Sequence, residues 1–461
     1  MTRFIDRKGE LAALQKELGR KGAGLIVVFG RRRTGKTRLV TEFLQGRDSV
    51  YYLAADQPDG AQVSDLKGIL ADYLKDPVLR GLDIRDWKSL FGYLEKAWPR
   101  DRPAIIAIDE VTYITKNNPS FPSLLQRFWD GFLSRTQSKL ILCGSLVGLM
   151  MKDILSSGSP LYGRRTLDLQ IQPFPFRHAQ EFMDGVGFED RIRYHAVLGG
   201  IPKYLEQVEG DFDDFLLEKM LDPKGFFYRE GIYLLSEEFR DSSTYSNILR
   251  GIAAGDARAA EIGARTGMDT RSLSAYIHIL EGLGFVARVV PFGRENGRGA
   301  LYRMSDNFLE FWFRFIQPNR SAVELGRGKE LCIAIRNDIN SFVGRRFEDV
   351  CREYLADSGW GGTGGIGRWW KALKDEKKVV EIDLFAPGNE RTALAECKWK
   401  DRTNGEAILK ELEKKSAHVP SKGGMEYFIF AKSFFRTAAR KNAHFVDLSQ
   451  LEDFFGRPPA R

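Results

Sequence analysis

The segment Gly30-Arg31-Arg32-Arg33-Thr34-Gly35-Lys36-Thr37 constrains this chain more than any other, because it specifies a strand, a loop and a helix together. The apolar run Gly24 to Phe29 precedes it, as in a buried parallel strand. Leu39, Val40, Phe43 and Leu44 follow at helical spacing. The pattern GxxxxGK[ST] between a strand and a helix is a phosphate-binding loop. Its glycines let backbone N–H groups wrap phosphates, and the helix N-terminus adds partial positive charge. The whole loop is the expected ATP cradle, with Lys36 neutralising the β- and γ-phosphates and the Thr37 hydroxyl ligating Mg²⁺.

A second apolar run, Ala104 to Ile108, delivers Asp109 and Glu110 to the C-terminal edge of a strand, where open α/β sheets bind ligands. Asp109 is expected to hold Mg²⁺ through water, and Glu110 to orient and deprotonate the attacking water. A third run, Leu140 to Cys143, ends in Gly144-Ser145 and places a hydroxyl where it can sense the γ-phosphate; the alternative is a plain strand-end turn. Arg164, in Tyr162-Gly163-Arg164-Arg165, is a candidate nucleotide contact, although arginines near strand starts are usually solvated.

The length of 461 residues predicts about three domains. With 43% hydrophobic and 29% charged residues the composition excludes a disordered chain. No stretch approaches the ~20 apolar residues that span a bilayer, and the start MTRFIDRKGEL lacks a signal-peptide run. A cytoplasmic protein with no membrane partner is expected. Cys143, Cys332, Cys351 and Cys397 show no CxxC pairing, so reduced thiols are expected and not a disulfide framework or a structural zinc site. A net charge of +8 is compatible with an anionic partner such as DNA without establishing one.

The segment Phe4-Ile5-Asp6-Arg7-Lys8-Gly9-Glu10, the GRRRTGKT loop, ILCGS, PLYGRR and Gly199-Gly200-Ile201-Pro202 together resemble the archaeal-type ATPases of the STAND class. The resemblance implies an ASCE parallel sheet with strands near 24–29, 49–55, 103–109, 139–145 and 166–172. It implies that Arg7 and Glu10 lie near the adenine and that Pro202 contacts the nucleotide region. Asp6 stands where the family usually has glycine.

From Tyr245 the pattern becomes short helices, with Asp269 as an N-cap and Leu273, Ile277 and Leu280 on one apolar face. Strands around 285–290 and 300–304 flank a basic turn, which completes a winged-helix pattern. If it meets DNA, Arg271, Ser272 and Ser274 face the major groove and Arg294 or Arg298 touches phosphate; the alternative is a packing module that clamps the ATPase. The aromatic stripe Phe308 to Phe315 reads as core.

Farther on, Glu348 lies on a helix, Asp383 in the strand Val380 to Ala386, and Glu396 and Lys398 together on one face of the next strand. An acidic residue followed by ExK across a hairpin is the PD-(D/E)xK arrangement, in which Asp383 and Glu396 hold Mg²⁺ or Mn²⁺ and Lys398 acts on water. The alternative is a solvated amphipathic hairpin. With Trp369-Trp370 and ECKW the stretch also resembles the domain of unknown function that follows many archaeal-type family members and is considered nuclease-like. The expected architecture is a multidomain α/β chain: a P-loop ATPase with helical subdomain over 1–235, a winged helix over 236–325, and a restriction-endonuclease-like α/β domain over 326–461. Two functions stay open. One is an ATP-dependent switch controlling a metal-dependent DNA nuclease, with ATP or ADP and DNA as partners and a homo-oligomer allowed for. The other is an ATP-regulated DNA-binding or assembly regulator with a non-catalytic nuclease fold.

Overall fold

The computed structural model describes residues 4–100, 102–239, 241–255, 257–292, 300–373, 378–388, 390–420 and 423–457. The chain divides into two compact units, one formed by Met1–Pro173 with Ile201–Lys203 and the other by Phe174–Gly200 with Tyr204–Arg461.

The first unit is built on five strands: β1 (Gly24–Phe29), β2 (Ser49–Leu53), β3 (Ile105–Asp109), β4 (Lys139–Gly144) and β5 (Leu167–Gln170). They form a parallel sheet in the order β2-β3-β4-β1-β5. The central strands β1, β3 and β4 are buried along their whole length, which is why they read as unbroken apolar runs. Edge strand β5 alternates between half-buried and exposed residues, as one-sided cover requires. Ile26, Val28, Ile105, Ala107, Ile141 and Cys143 pack with Leu39, Val40 and Phe43 of the helix Lys36–Leu44. That packing fixes the start of the helix against the C-terminal ends of the strands.

The second unit contains the expected winged-helix-like module: helices Ser242–Ala253, Ala259–Thr266 and Thr270–Gly282, then β6 (Val286–Val289) and β7 (Leu301–Met304) paired antiparallel. The wing-turn arginines Arg294 and Arg298 lie outside the described residues. Phe308, Phe311, Trp312, Phe313 and Phe315 are buried, so the aromatic stripe is core.

A long helix, Gly328–Asp357, leads into β8 (Gly367–Leu373), β9 (Lys378–Ala386) and β10 (Arg391–Lys398). After the short β11 (Thr403–Asn404) and the helix Gly405–Ser416 come β12 (Gly424–Ala431), β13 (Phe434–Arg436) and β14 (Ala443–Val446). The larger sheet has the order β14-β12-β10-β9-β8, antiparallel from β8 to β10 and parallel from β10 to β14. The long helix packs on β9 and β10, and the helix Gly405–Ser416 packs on β9, β10 and β12.

The segment Phe174–Gly200 is tied into this second unit by hydrogen bonds and by an ion pair of the buried Arg177. Glu353 of the long helix accepts the backbone N–H groups of Phe176 and Arg177 at 2.8 and 2.9 Å. Arg177 pairs with Asp357 at 2.8 Å and donates to the Arg457 carbonyl at 2.7 Å. Gly200 has no room for a side chain, since a Cβ would come within 1.7 Å of the Phe174 carbonyl oxygen. All four cysteines are free and buried, and among the described residues no helix is long and apolar enough to cross a membrane.

Candidate functional site

In the first unit the P-loop leaves β1 at Gly30, whose φ is 151° and where a Cβ would lie 2.4 Å from the Ile171 carbonyl oxygen. Only glycine fits so close an approach. Gly35, at φ 90°, caps the helix Lys36–Leu44, and Arg33 also takes a positive φ of 68°. Lys36 Nζ and Thr34 Oγ1 each donate to the Arg31 carbonyl at 2.8 Å, which gathers the loop around its own lysine. Arg32 donates to the Tyr113 hydroxyl at 2.8 Å.

The Asp109 carboxylate is fully buried at the end of β3. Its Oδ2 accepts from Thr37 Oγ1 at 2.7 Å and from the Tyr51 hydroxyl at 2.9 Å, and its Oδ1 accepts the Glu110 N–H at 2.9 Å. Burial, then the charge of Asp109, pushes the Tyr51 phenol far above its usual range, so it stays protonated and donates. Glu110 sits at φ 53° and its Oε2 accepts from Ser145 Oγ at 2.7 Å and Ser145 N at 3.2 Å. Ser145, singled out as a γ-phosphate sensor, therefore holds the expected general base here.

Arg7 is buried under the loop. It donates to the Thr34 carbonyl at 3.1 Å and the Gln172 carbonyl at 2.7 Å, and pairs with Glu10 at 2.9 Å. It thus ties the P-loop to the end of β5. Asp6 takes φ 49°, the left-handed conformation that glycine adopts freely and aspartate tolerates better than most residues. Pro202 Cγ lies 3.8 Å from where a Gly35 Cβ would stand. Arg164 is joined side-on to Asp130, both contacts 2.7 Å, so its guanidinium is engaged by a carboxylate of the helix Phe121–Gly131.

These residues fit ATP and Mg²⁺. The loop's N–H groups and Lys36 would hold the phosphates. Thr37 and Asp109 would hold the ion, whose chemistry is to offset charge on the phosphates.

In the second unit three of the four residues expected around a metal, Glu348, Asp383 and Lys398, line one cleft, and the fourth, Glu396, is buried beside Lys398. Pairing of β9 with β10 ends at Leu384↔Ala395. Beyond it the Asp383 carboxylate replaces a backbone acceptor and takes the Cys397 N–H at 2.9 Å. Simple alternation predicts Leu384 beside Val380 and Ile382, yet Phe385 joins them in the core cluster. The cause is a register shift: Trp369↔Ile382 is followed by Gly367↔Phe385, an extra residue of β9 beside Asp383.

Lys398 Nζ lies 2.6 Å from Glu396 Oε2 and 3.3 Å from Asp383 Oδ2. The other Glu396 oxygen accepts from Lys415, a residue of the helix Gly405–Ser416 with no signal in the linear sequence. Burial pulls the Lys398 ammonium down, but Asp383 and Glu396 outweigh it and hold it above the usual lysine range. Burial, then the charge of Asp383, pushes the Glu348 carboxyl well above the usual carboxylate range, which favours its neutral form. A divalent ion needs carboxylates with open lone pairs. Here Glu396 serves two lysines, and among the described residues no cluster of three or more His, Cys, Asp or Glu could hold a metal ion. As it stands the set does not fit a metal.

The expected reading helix of the winged-helix module starts at a capped N-terminus. Asp269 caps that helix, accepting from Arg271 N and Ser272 N at 3.0 Å and from Ser272 Oγ at 2.6 Å. Arg271, Ser272 and Ser274 are all exposed.

A family model described as an ATPase domain predominantly from Archaea matches residues 4–208, and one described as archaeal and bacterial proteins of unknown function matches residues 312–413. An uncharacterized protein of Methanocaldococcus jannaschii is 33% identical over 98% of this chain and 100% of its own length. An uncharacterized ATP-binding protein of the same organism is 43% identical over 10% of this chain and 75% of its own. Among solved structures, a Walker-type ATPase of Pyrococcus abyssi aligns with TM-score 0.49 and 21% identity over 68% of this chain and 96% of its own. The Aeropyrum pernix ORC2 protein aligns with TM-score 0.42 and 13% identity over 70% and 96%.

Proposed function

The chain belongs to the same family as the full-length M. jannaschii relative, one with an archaeal-type P-loop ATPase domain, and from this premise we propose a nucleotide-controlled regulator: an ATP-hydrolysing switch whose bound nucleotide sets DNA binding by the second unit. The observation that carries the switch is the mutual engagement of the ATP-site groups. Thr37 is joined to Asp109, Lys36 to the loop carbonyl of Arg31, and Glu110 to Ser145. ATP phosphates compete for Lys36, and the incoming ion competes for Thr37 and Asp109. Glu110 must leave Ser145 to act on water. Nucleotide therefore changes several bonds at once, which is what a two-state element requires.

DNA is suggested by the second-unit cleft, which Arg345, Lys398, Lys400 and Arg402 line, and by the net charge of +8. The test measures DNA affinity with a non-hydrolysable ATP analogue and with ADP, in the wild type and in Lys36→Ala. The expected outcome is a nucleotide-dependent affinity that the variant loses. Equal affinities in both nucleotide states would remove DNA from the switch.

A second reading makes the second unit a DNA nuclease, favoured by the convergence of Asp383, Glu396 and Lys398 within hydrogen-bond distance of one another. Incubation with single- and double-stranded DNA and Mg²⁺ or Mn²⁺, with ATP and with ADP, decides between the readings. Cleavage that Lys398→Ala abolishes would establish the nuclease, and intact DNA in every arm would leave the regulator.

A further inference from the structure

We propose that the second-unit cleft takes single-stranded DNA, with Phe435 as the platform on which a base stacks; this rests on the DNA-binding reading above. The cleft encloses about 650 Å³ and is lined by Arg345, Lys398, Trp399, Lys400, Arg402 and Phe435, among others. This is within the ~300–1,000 Å³ of small-molecule pockets, room for a nucleotide.

Its charge is positive where it is open. Asp383 and Glu396 are occupied by Lys398 and Lys415. Lys400 and Arg402 are exposed and, among the described residues, pair with no carboxylate.

Phe435 is 61% exposed. Its neighbour on β13, Phe434, packs edge-on against Phe445 beside the core, so strand alternation turns Phe435 outward. A lone exposed apolar side chain is ordinary on any surface. This one differs because it lines the same cleft as the exposed Lys400 and Arg402. Trp399, the other aromatic there, is 8% exposed, donates to Asn340 at 3.1 Å and packs on Phe347, which leaves Phe435 as the ring available to a ligand. A cationic groove with an open aromatic face suits unpaired bases, since a duplex keeps its base faces inside the stack.

The test is fluorescence anisotropy of the full chain with a labelled oligothymidine and with its duplex, across a salt series. The wild type is expected to prefer the single strand. Phe435→Ala should weaken single-strand binding by roughly 5- to 150-fold, the loss of one stacked base, with duplex affinity and salt slope unchanged. Phe435→Trp should restore it. Phe435→Leu, which keeps apolar volume but has no ring face, should behave as Phe435→Ala and guards against misfolding of the smaller variant. Arg402→Ala should lower the log–log salt slope by about 1. Duplex bound as tightly as single strand, or undiminished single-strand affinity in Phe435→Ala and Phe435→Leu, would overturn the stacking role and leave DNA binding standing. No binding of either DNA would overturn both.

Discussion

The two carboxylate sites of this chain use the same residue types to opposite effect. In the first unit Asp109 and Glu110 accept hydrogen bonds from neutral donors, namely Thr37, Tyr51, Ser145 and a backbone N–H. Their charge remains for a cation to answer. In the second unit Asp383 and Glu396 accept from ammonium groups, Lys398 and Lys415, so their charge is answered inside the protein. A hydroxyl orients a carboxylate without neutralising it, whereas a lysine does both. The first arrangement suits an ion that comes and goes with nucleotide. The second gives a cleft whose open charge is positive, suited to an anion.

The largest effect is expected from Glu110→Gln, which keeps the side chain's shape and its ability to accept from Ser145 but removes the base. ATP binding should persist and turnover should fall by about 10²- to 10⁴-fold. Filter-binding and phosphate-release assays on the same sample check both halves, and undiminished turnover would show that Glu110 is not the base.

Next is Glu396→Gln, which leaves Lys398 and Lys415 without their shared counter-ion. The expected cost is on the order of 2 kcal/mol in urea unfolding, toward the low end for a broken ion pair because Lys398 is 41% exposed and water screens it. ATP binding should be unaffected. A neutral effect would mean that the lysines do not depend on Glu396.

The protonation of Glu348 predicts a pH dependence. Its folded pKa of about 8 lies above the unfolded value of 4.5. Between those values the folded state holds more protons, so this group's contribution to stability falls as pH rises through that window. Glu348→Gln should flatten that fall and gain on the order of 1–3 kcal/mol over the wild type above pH 8, with little difference below pH 4.5. Chemical denaturation across pH reads this directly, and parallel curves would contradict a protonated Glu348.

The smallest expected effect sharpens the first site. Tyr51→Phe removes a neutral donor from Asp109, a loss of about 1 kcal/mol. The Mg²⁺ concentration needed for tight ATP binding should change by roughly 5-fold while Mg²⁺-free ATP affinity stays the same. A change in Mg²⁺-free affinity would instead place Tyr51 in the phosphate cradle.

Much of this was legible from the chain alone where chemistry demands contiguous residues. A phosphate cradle is made by successive backbone N–H groups, so Gly30 to Thr37 must be adjacent in sequence, and the apolar strands that deliver Gly30 and Asp109 are buried on both faces and read as unbroken runs. The winged-helix pattern was legible for a similar reason, since its caps and apolar spacing are local.

Tertiary structure decided whatever depends on segments far apart in the chain. Tyr51 reaches Asp109 because β2 pairs with β3, and Lys415 reaches Glu396 because a helix crosses β10. The extra residue of β9 beside Asp383 brings Phe385 into the cluster of Val380 and Ile382 while Leu384 stays buried, a change of register that alternation in one strand cannot reveal. Phe174–Gly200 follows the ATPase sheet directly in sequence, yet it joins the second unit through Glu353 and Asp357, whose partners lie more than a hundred residues away. Local spacing encodes which elements form. Which carboxylate meets a hydroxyl and which meets a lysine is settled only when distant elements pack, because hydrogen bonds and ion pairs act over a few ångströms of space and not along the chain.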